Sequence, residues 1–207
     1  MHLDVISALS ILIPLITAGI VFNKLNKTLK KLSVFILFSA ITESLAAVYS
    51  LNGWHNLSIS HLYAFIQVPL LAWIFYDIIT GKWRKALVIL TGTYLAFSVL
   101  NIILWESLNE FNSNQRYFAA VCIIAFCAFY FIRIFIDTKI IKIERDPYFW
   151  ISASILIYTA GTLFLFIFVN ELVSAGGVDY WDLNCILNIC LNLGLTLSLW
   201  MGTRTSK

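Results

Sequence analysis

Charged residues are scarce in this sequence. Only 12% of its 207 residues are charged, whereas an average soluble domain carries about 25%. Hydrophobic residues make up 60% of the chain. This composition excludes an ordinary water-soluble domain and favours a protein that resides in a lipid bilayer.

The sequence also lacks the motifs of common active sites and cofactors. It contains no HExxH or HxxxH pair, no glycine-rich phosphate loop and no G-x-S-x-G, which counts against metalloenzymes, nucleotide-binding proteins and serine hydrolases. No lysine lies in the core of a hydrophobic segment, which excludes a retinal Schiff base. The four cysteines lack zinc-site spacing and are expected to pack as small apolar residues. We predict no cofactor and no metal.

Seven hydrophobic segments each approach the roughly 20 residues that a helix needs to cross a bilayer. They lie at residues 3–22, 32–51, 62–80, 86–104, 117–136, 148–169 and 183–202. The connections are short, and none of them could hold a separate domain. We therefore predict an all-α polytopic membrane protein, in which residues 1–207 form a single bundle of seven transmembrane helices.

Basic residues collect on one side of this predicted bundle. Thirteen of the fourteen Lys and Arg residues lie between segments 1 and 2, between 3 and 4, around the connection of 5 and 6, or after segment 7. Only Arg116 falls on the other side. The positive-inside rule then predicts that the N-terminus is outside and the C-terminus is cytoplasmic. The net charge of +3 is a topology signal, so we predict no nucleic-acid partner.

One acidic residue, Glu43, lies near the middle of the second segment. A charge at the bilayer centre costs about 2.5–3.5 kcal/mol or more, so an intramembrane acid usually marks a functional site. Small residues share the helical face of Glu43: Ser39, Ala40, Ala46, Ala47 and Ser50. Bulky residues form the opposite face: Val34, Phe38, Ile41, Leu45 and Val48. A small face lets a neighbouring helix approach, so we predict that Glu43 points inward. The alternative is a purely structural, protonated glutamic acid.

Other segments supply polar residues that are predicted to join Glu43. Three asparagines recur every four residues in the seventh segment, and two polar residues share a face of the third. Glu43 lies roughly 12 Å and Gln67 roughly 8 Å from the outer helix ends. The sequence thus predicts an outward-facing pocket lined by Glu43, His61, Tyr63, Gln67, Tyr158, Asn184, Asn188 and Asn192. The alternative for the asparagines is hydrogen bonding between helices, worth roughly 0.6 kcal/mol per bond.

The order of the segments resembles the 3+1+3 plan of sugar-transporting SWEET proteins and of nicotinamide-riboside transporters. Segments 1–3 and 5–7 run in the same directions, and the fourth segment inverts the chain between them. The resemblance is one of topology, and it implies a transporter as an alternative function. The chain departs from both families: only Pro14 and Pro69 lie well within helices, and the tryptophan-rich substrate motif of the vitamin transporters is missing.

Short motifs give a second resemblance, to small standalone seven-helix membrane proteins of bacteria. The motifs are Thr42-Glu43, His61-x-Tyr63-x3-Gln67, Asp146-Pro147-x-Phe149-Trp150, Tyr158-Thr159-x-Gly161, and Trp181 with Asn188-x3-Asn192. The resemblance implies the seven-helix fold and a bacterial inner membrane, and it brings no activity with it. That group carries an acid at the position of Gln67, so a carboxylate pair is lost here, which counts against an acid–base role.

Three functions are compatible with this pattern. The first is receptor-like binding of a small polar or cationic ligand, in which Glu43 is the anchor and a signalling partner protein supplies the output. The second is transport of a small molecule. The third is an intramembrane enzyme that modifies lipid; it would need a second titratable group beside Glu43, and His61 is the nearest candidate.

Overall fold

A computed structural model describes residues 2–109, 112–136, 142–167 and 180–205, and its elements are helices. Within these ranges, seven helices are long and apolar enough to cross a membrane, which confirms the predicted class. The first span is divided into α1 (His2–Ser10) and α2 (Leu12–Val21). The other spans are α3 (Lys27–Leu51), α4 (Leu57–Ile78), α5 (Lys82–Leu104), α6 (Ser113–Ile136), α7 (Pro147–Ile167) and α8 (Tyr180–Thr205).

Some residues used in the sequence-based predictions lie outside the described ranges. They include residues 168–169 of the predicted sixth segment and two of the thirteen basic residues that predicted the orientation, Lys139 and Lys207.

The first span is broken near Pro14. Proline has no backbone N–H to donate to the carbonyl four residues earlier, here that of Ser10. α1 accordingly ends at Ser10, Ile11 forms a turn, and α2 begins at Leu12. Just before the break, the Ser10 hydroxyl donates a hydrogen bond to the carbonyl of Ser7 over 2.6 Å.

Four helices begin four or five residues before the hydrophobic segments that predicted them. α3, α4, α5 and α6 begin at Lys27, Leu57, Lys82 and Ser113. Polar residues form these first turns; before α3, for example, the Asn26 side chain accepts a hydrogen bond from the backbone N–H of Leu29 over 3.0 Å. A hydropathy window stops where polar residues begin, although the helical backbone continues through them. The first turns of α4 and α6 therefore carry polar side chains into the bundle.

Six spans form a ring. The first span packs against α3 and α8, α3 packs against α4, α4 against α6, α6 against α7, and α7 against α8. α5 packs against α4 and α6, and it therefore lies outside the ring. Large buried side chains between the spans include Leu29, Leu32, Ile36, Phe75 and Phe126.

The faces of α3 follow the predicted division with one difference. Val34, Ile41, Leu45 and Val48 are exposed, as expected of residues that would contact lipid. Phe38 was predicted on the same face, but its ring stacks on that of Tyr63, with centroids 5.8 Å apart. An aromatic side chain at the edge of the apolar face is long enough to reach the neighbouring helix α4, and stacking there buries more of its surface.

An ion pair joins α3 and α4 at the end of the bundle where α3 begins. The Lys31 ammonium lies 2.6 Å from Oδ2 of Asp77. It also donates to the carbonyl of Trp73 over 3.1 Å and lies over the Trp73 ring. The Thr28 hydroxyl donates to the same Asp77 oxygen over 3.2 Å. We call this end of the bundle the ion-pair end, and the opposite end the cavity end.

Hydrogen bonds between distant parts of the chain add to the ion-pair end. The Tyr130 hydroxyl donates to Asp146 over 2.9 Å, and the backbone N–H of Tyr148 donates to the same carboxylate over 2.9 Å. The Asn26 amide donates to the Tyr148 hydroxyl over 3.1 Å. These bonds link the start of α3, the end of α6 and the start of α7. Asp77 and Asp146, two of the acids at this end, are thus both bonded within the protein.

Candidate ligand-binding cavity

A cavity of about 550 Å³ lies within the ring at the cavity end. Its wall contains residues of α1, α3, α4, α6, α7 and α8, and none of α5. Asp4 and Asn56 belong to its rim and are exposed, so the cavity extends to the end of the bundle. Its volume lies within the range of about 300–1,000 Å³ that is common for small-molecule sites.

Six of the eight residues predicted for the pocket belong to the wall of this cavity. They are Glu43, Tyr63, Tyr158, Asn184, Asn188 and Asn192. Residues far apart in the sequence are therefore brought together as predicted, while their ligand-binding role stays a prediction.

The other two predicted residues, His61 and Gln67, are not part of the wall. His61 precedes Tyr63 by two positions, which turns its side chain by roughly 200° around α4, away from the cavity. It is buried, with 2% of its surface exposed. Gln67 follows Tyr63 by one turn, or roughly 6 Å further along the helix, and it is partly buried. The prediction was therefore wrong in placing these two side chains in the cavity wall.

Glu43 presents its carboxylate to the cavity. The side chain is partly buried, and within the described residues it has no hydrogen bond and no ion pair. The neighbouring hydroxyls of Thr42 and Ser44 donate to carbonyls of their own helix, at Phe38, Ser39 and Ala40. An ionisable group in a wall of this kind is costly unless a ligand or water satisfies it.

Two tyrosines lie near Glu43. The phenol groups of Tyr63 on α4 and Tyr158 on α7 are within electrostatic range of the Glu43 carboxylate. The same two phenols are within electrostatic range of Arg116 on α6. These four residues belong to four different helices. A hydroxyl both donates and accepts hydrogen bonds, so the tyrosines can serve a ligand of either charge.

Arg116 is the wall residue that the sequence reasoning missed. Its Nε donates to Oδ1 of Asn112 over 3.0 Å, and its Nη2 donates to the hydroxyl of Ser60 over 2.7 Å. The Ser60 hydroxyl donates to the same Asn112 oxygen over 2.9 Å. These bonds hold the guanidinium where α4 and α6 begin. One feature of the sequence could have indicated its role: Arg116 is the single basic residue on its predicted side of the membrane.

The beginning of α6, which carries Arg116, is fixed by a buried carboxylate. Oε1 of Glu106 accepts the backbone N–H of Asn114 over 2.8 Å, and Oε2 accepts the Asn101 amide over 2.6 Å. A carboxylate is favourable at a helix N-terminus because the first N–H groups have no partner within the helix. α5 lies outside the ring, yet through Asn101 it supports the position of the Arg116 helix turn.

The asparagines of α8 bind the first span. The Asn188 amide donates to the hydroxyl of Ser7 over 3.1 Å, and the Asn192 amide donates to that of Ser10 over 2.7 Å. Hydrogen bonding between helices was the alternative role predicted for the asparagines, and both Asn188 and Asn192 form such bonds. Their amide donors hold α8 against the first span, while their side chains still form part of the cavity wall.

The described residues contain no group of three or more His, Cys, Asp or Glu side chains placed to hold a metal ion. A lipid-modifying reaction would need a second titratable group beside Glu43, and His61, the nearest candidate in the sequence, is not part of the cavity wall.

The chain matches no protein-family model, no curated protein and no solved structure. The composition and contacts of the cavity therefore provide the basis for a functional proposal.

Proposed function

We propose that this integral membrane protein binds a small polar or cationic molecule in the cavity, as a receptor does. The observation that carries the proposal is the carboxylate of Glu43, which lines a cavity of about 550 Å³ without a partner among the described residues. Burying such a group costs free energy, and a cationic or hydrogen-bond-donating ligand would offset that cost. Glu43 is the anchor, and Tyr63 and Tyr158 line the site beside it.

The proposal includes an orientation in a bacterial inner membrane, with the N-terminus outside. Lys24, Lys27 and Lys30 lie near the start of α3, and Lys82 and Arg84 lie at the start of α5. These residues belong to the ion-pair end, and the positive-inside rule assigns that end to the cytoplasm. The cavity then opens to the outside, and a signalling partner protein would contact the ion-pair end.

Binding of organic amines to purified protein in nanodiscs tests this proposal. We expect n-butylamine and related amines to raise the thermal unfolding temperature of the wild type, since a ligand that binds only the folded state stabilises it. Glu43→Gln should remove that increase. Glu144→Gln is the matched control, because Glu144 is exposed in the connection before α7. An equal effect of amines on the wild type and Glu43→Gln would refute the proposal.

A second candidate function, transport, is favoured by the packing of the helices. In the first half, the first span packs against α3, and α3 packs against α4. In the second half, α6 packs against α7, and α7 packs against α8. α5 lies outside the ring that these helices form. This arrangement supports the 3+1+3 plan, in which two similar halves rock around a central site. A transporter would move a radiolabelled amine into sealed proteoliposomes and would lose that flux in Glu43→Gln. A receptor would bind the amine without flux.

A further inference from the structure

We propose that the ligand of the cavity is a zwitterion, whose ammonium group binds Glu43 and whose carboxylate or phosphate binds Arg116. This inference rests on the proposed function, because it concerns the same cavity, and it adds the second charge of the ligand. Both charged side chains belong to the wall, and they come from different helices, α3 and α6.

The two charges lie at different depths. Arg116 is three residues after the start of α6, or roughly 4.5 Å along the helix. Glu43 is eight residues before the end of α3, or roughly 12 Å along that helix. A ligand that enters from the cavity end would therefore place its anionic group near the rim and its ammonium group deeper.

Hydroxyl groups of the wall suit such a ligand. Tyr63 is six residues after the start of α4, or roughly 9 Å along the helix. Its phenol and that of Tyr158 are within electrostatic range of both charged side chains. The Ser39 hydroxyl also lines the cavity, beside the Tyr63 phenol and one turn deeper than Glu43. The two phenols can bond to either end of a short zwitterion, and the Ser39 hydroxyl can bond to its deeper end.

The setting of Arg116 suits an anion in particular. Ser60 and Asn112 fix the direction of its guanidinium through bonds of 2.7 and 3.0 Å. A planar guanidinium held in this way matches the geometry of a carboxylate or phosphate. The remainder of the wall includes apolar residues that could contact the carbon skeleton of the ligand: Ile11, Phe35, Ile36, Leu191 and Leu195.

Two sources could provide this chemistry: a free solute such as an amino acid, or the headgroup of a zwitterionic lipid such as phosphatidylethanolamine. Both carry an ammonium and an anionic group on a short skeleton. The shared prediction concerns the pair of charges, and the lipid composition of the nanodiscs separates the two sources.

The test uses the full chain in nanodiscs of phosphatidylglycerol, which contain no zwitterionic lipid. The probes are 4-aminobutyrate, n-butylamine and butyrate, which share a four-carbon skeleton, together with the amino acids and glycerophosphoethanolamine. In the wild type, we expect at least one zwitterion to bind about tenfold or more tightly than n-butylamine and butyrate. This comparison needs no variant, so it stands even if a substitution impairs folding.

Variants then assign the two charges. Arg116→Gln should reduce zwitterion affinity to about that of n-butylamine, and Arg116→Lys should retain part of the preference because it keeps the charge. Glu43→Gln should weaken both zwitterion and amine about tenfold or more. Arg145→Gln, at an exposed arginine of the ion-pair end, is the matched control. Size-exclusion elution and thermal unfolding without probe verify that each variant is folded.

The outcomes separate this inference from the proposed function. Amine binding that depends on Glu43, with no preference for any zwitterion and no effect of Arg116→Gln, overturns the inference and leaves the proposed function in place. Binding of no probe through Glu43 overturns both. If nanodiscs of phosphatidylethanolamine abolish binding of the soluble zwitterion, the headgroup is the occupant; unchanged binding supports a free solute.

Discussion

The two ends of the bundle use the same kinds of side chain in different ways. At the ion-pair end, Lys31 and Asp77 lie 2.6 Å apart and satisfy each other. At the cavity end, Glu43 and Arg116 face a shared space of about 550 Å³. The position of an acid in an apolar helix is thus not enough to reveal its role. The partner that other helices bring to it decides between a structural ion pair and a binding site.

The largest expected effect is the loss of stability when the ion pair is broken. Asp77→Asn would leave the Lys31 ammonium, which is 5% exposed, without its counterion. Removing one partner of a buried ion pair typically costs about 3–5 kcal/mol, and we expect the lower end because Asp77 is 26% exposed. Denaturant unfolding in detergent micelles measures this cost.

A double variant controls for that effect. In Lys31→Met with Asp77→Leu, both charges are removed, and we expect most of the lost stability to return, because paired apolar residues can replace a buried ion pair. If Asp77→Asn unfolds at the wild-type denaturant concentration, the ion-pair end is not held together as described.

A single added methyl group should destabilise the helix contact between the two ends of the bundle. A Cβ at Gly194 on α8 would overlap Cβ of Ser154 on α7. Gly194→Ala should therefore destabilise the protein by about 1–3 kcal/mol through overpacking. Gly92→Ala is the matched control, since a Cβ at Gly92 meets no atom within 4 Å. Equal stability of the two variants would show that α7 and α8 do not approach so closely.

Glu43→Gln, unlike Asp77→Asn, should not lower the stability of the protein. The carboxylate has no partner among the described residues, so its removal relieves a burial cost and breaks no bond. We expect the free energy of unfolding to stay the same or to rise by up to about 1 kcal/mol. The same denaturant experiment measures it, and a loss as large as that of Asp77→Asn would indicate a structural glutamate.

The smallest effect is expected at the asparagines of α8. Asn192→Ala removes the bond of 2.7 Å to Ser10, while the Ser10 hydroxyl keeps its bond to the carbonyl of Ser7. Bonds between membrane helices contribute about 0.6 kcal/mol on average. A double-mutant cycle of Asn192→Ala with Ser10→Ala measures the coupling, and a value near zero would leave the asparagine without its proposed tie to the first span.

The sequence predicted the spans well because hydropathy is a local property. Within the described ranges, each of the seven segments coincides with a span that is helical and apolar enough to cross a membrane, and the small face of α3 predicted that Glu43 faces the cavity. Tyr63 and Tyr158 were also placed in its wall correctly. These predictions depend on the periodicity of single helices, which one sequence displays directly.

The specific pairs of side chains that contact each other between helices could not be predicted from a single sequence. Arg116 and Lys31 fell just before predicted hydrophobic segments, yet both lie inside helices, at α6 and α3. Nothing in the spacing of Lys31 and Asp77 indicates that they form a pair. Phe38 shows the same limit, since its position on a helical wheel did not indicate its stacking on Tyr63.

Access of a water-soluble reagent to position 43 tests the central claim most directly. In a variant whose four cysteines are replaced by alanine, Glu43→Cys should react with a charged methanethiosulfonate when the protein is in nanodiscs. Asn56→Cys at the rim is the positive control, and Ile41→Cys on the apolar face is the negative control. The account predicts modification at positions 43 and 56 and none at 41. Modification at 56 without modification at 43 would show that Glu43 does not line a cavity open to water.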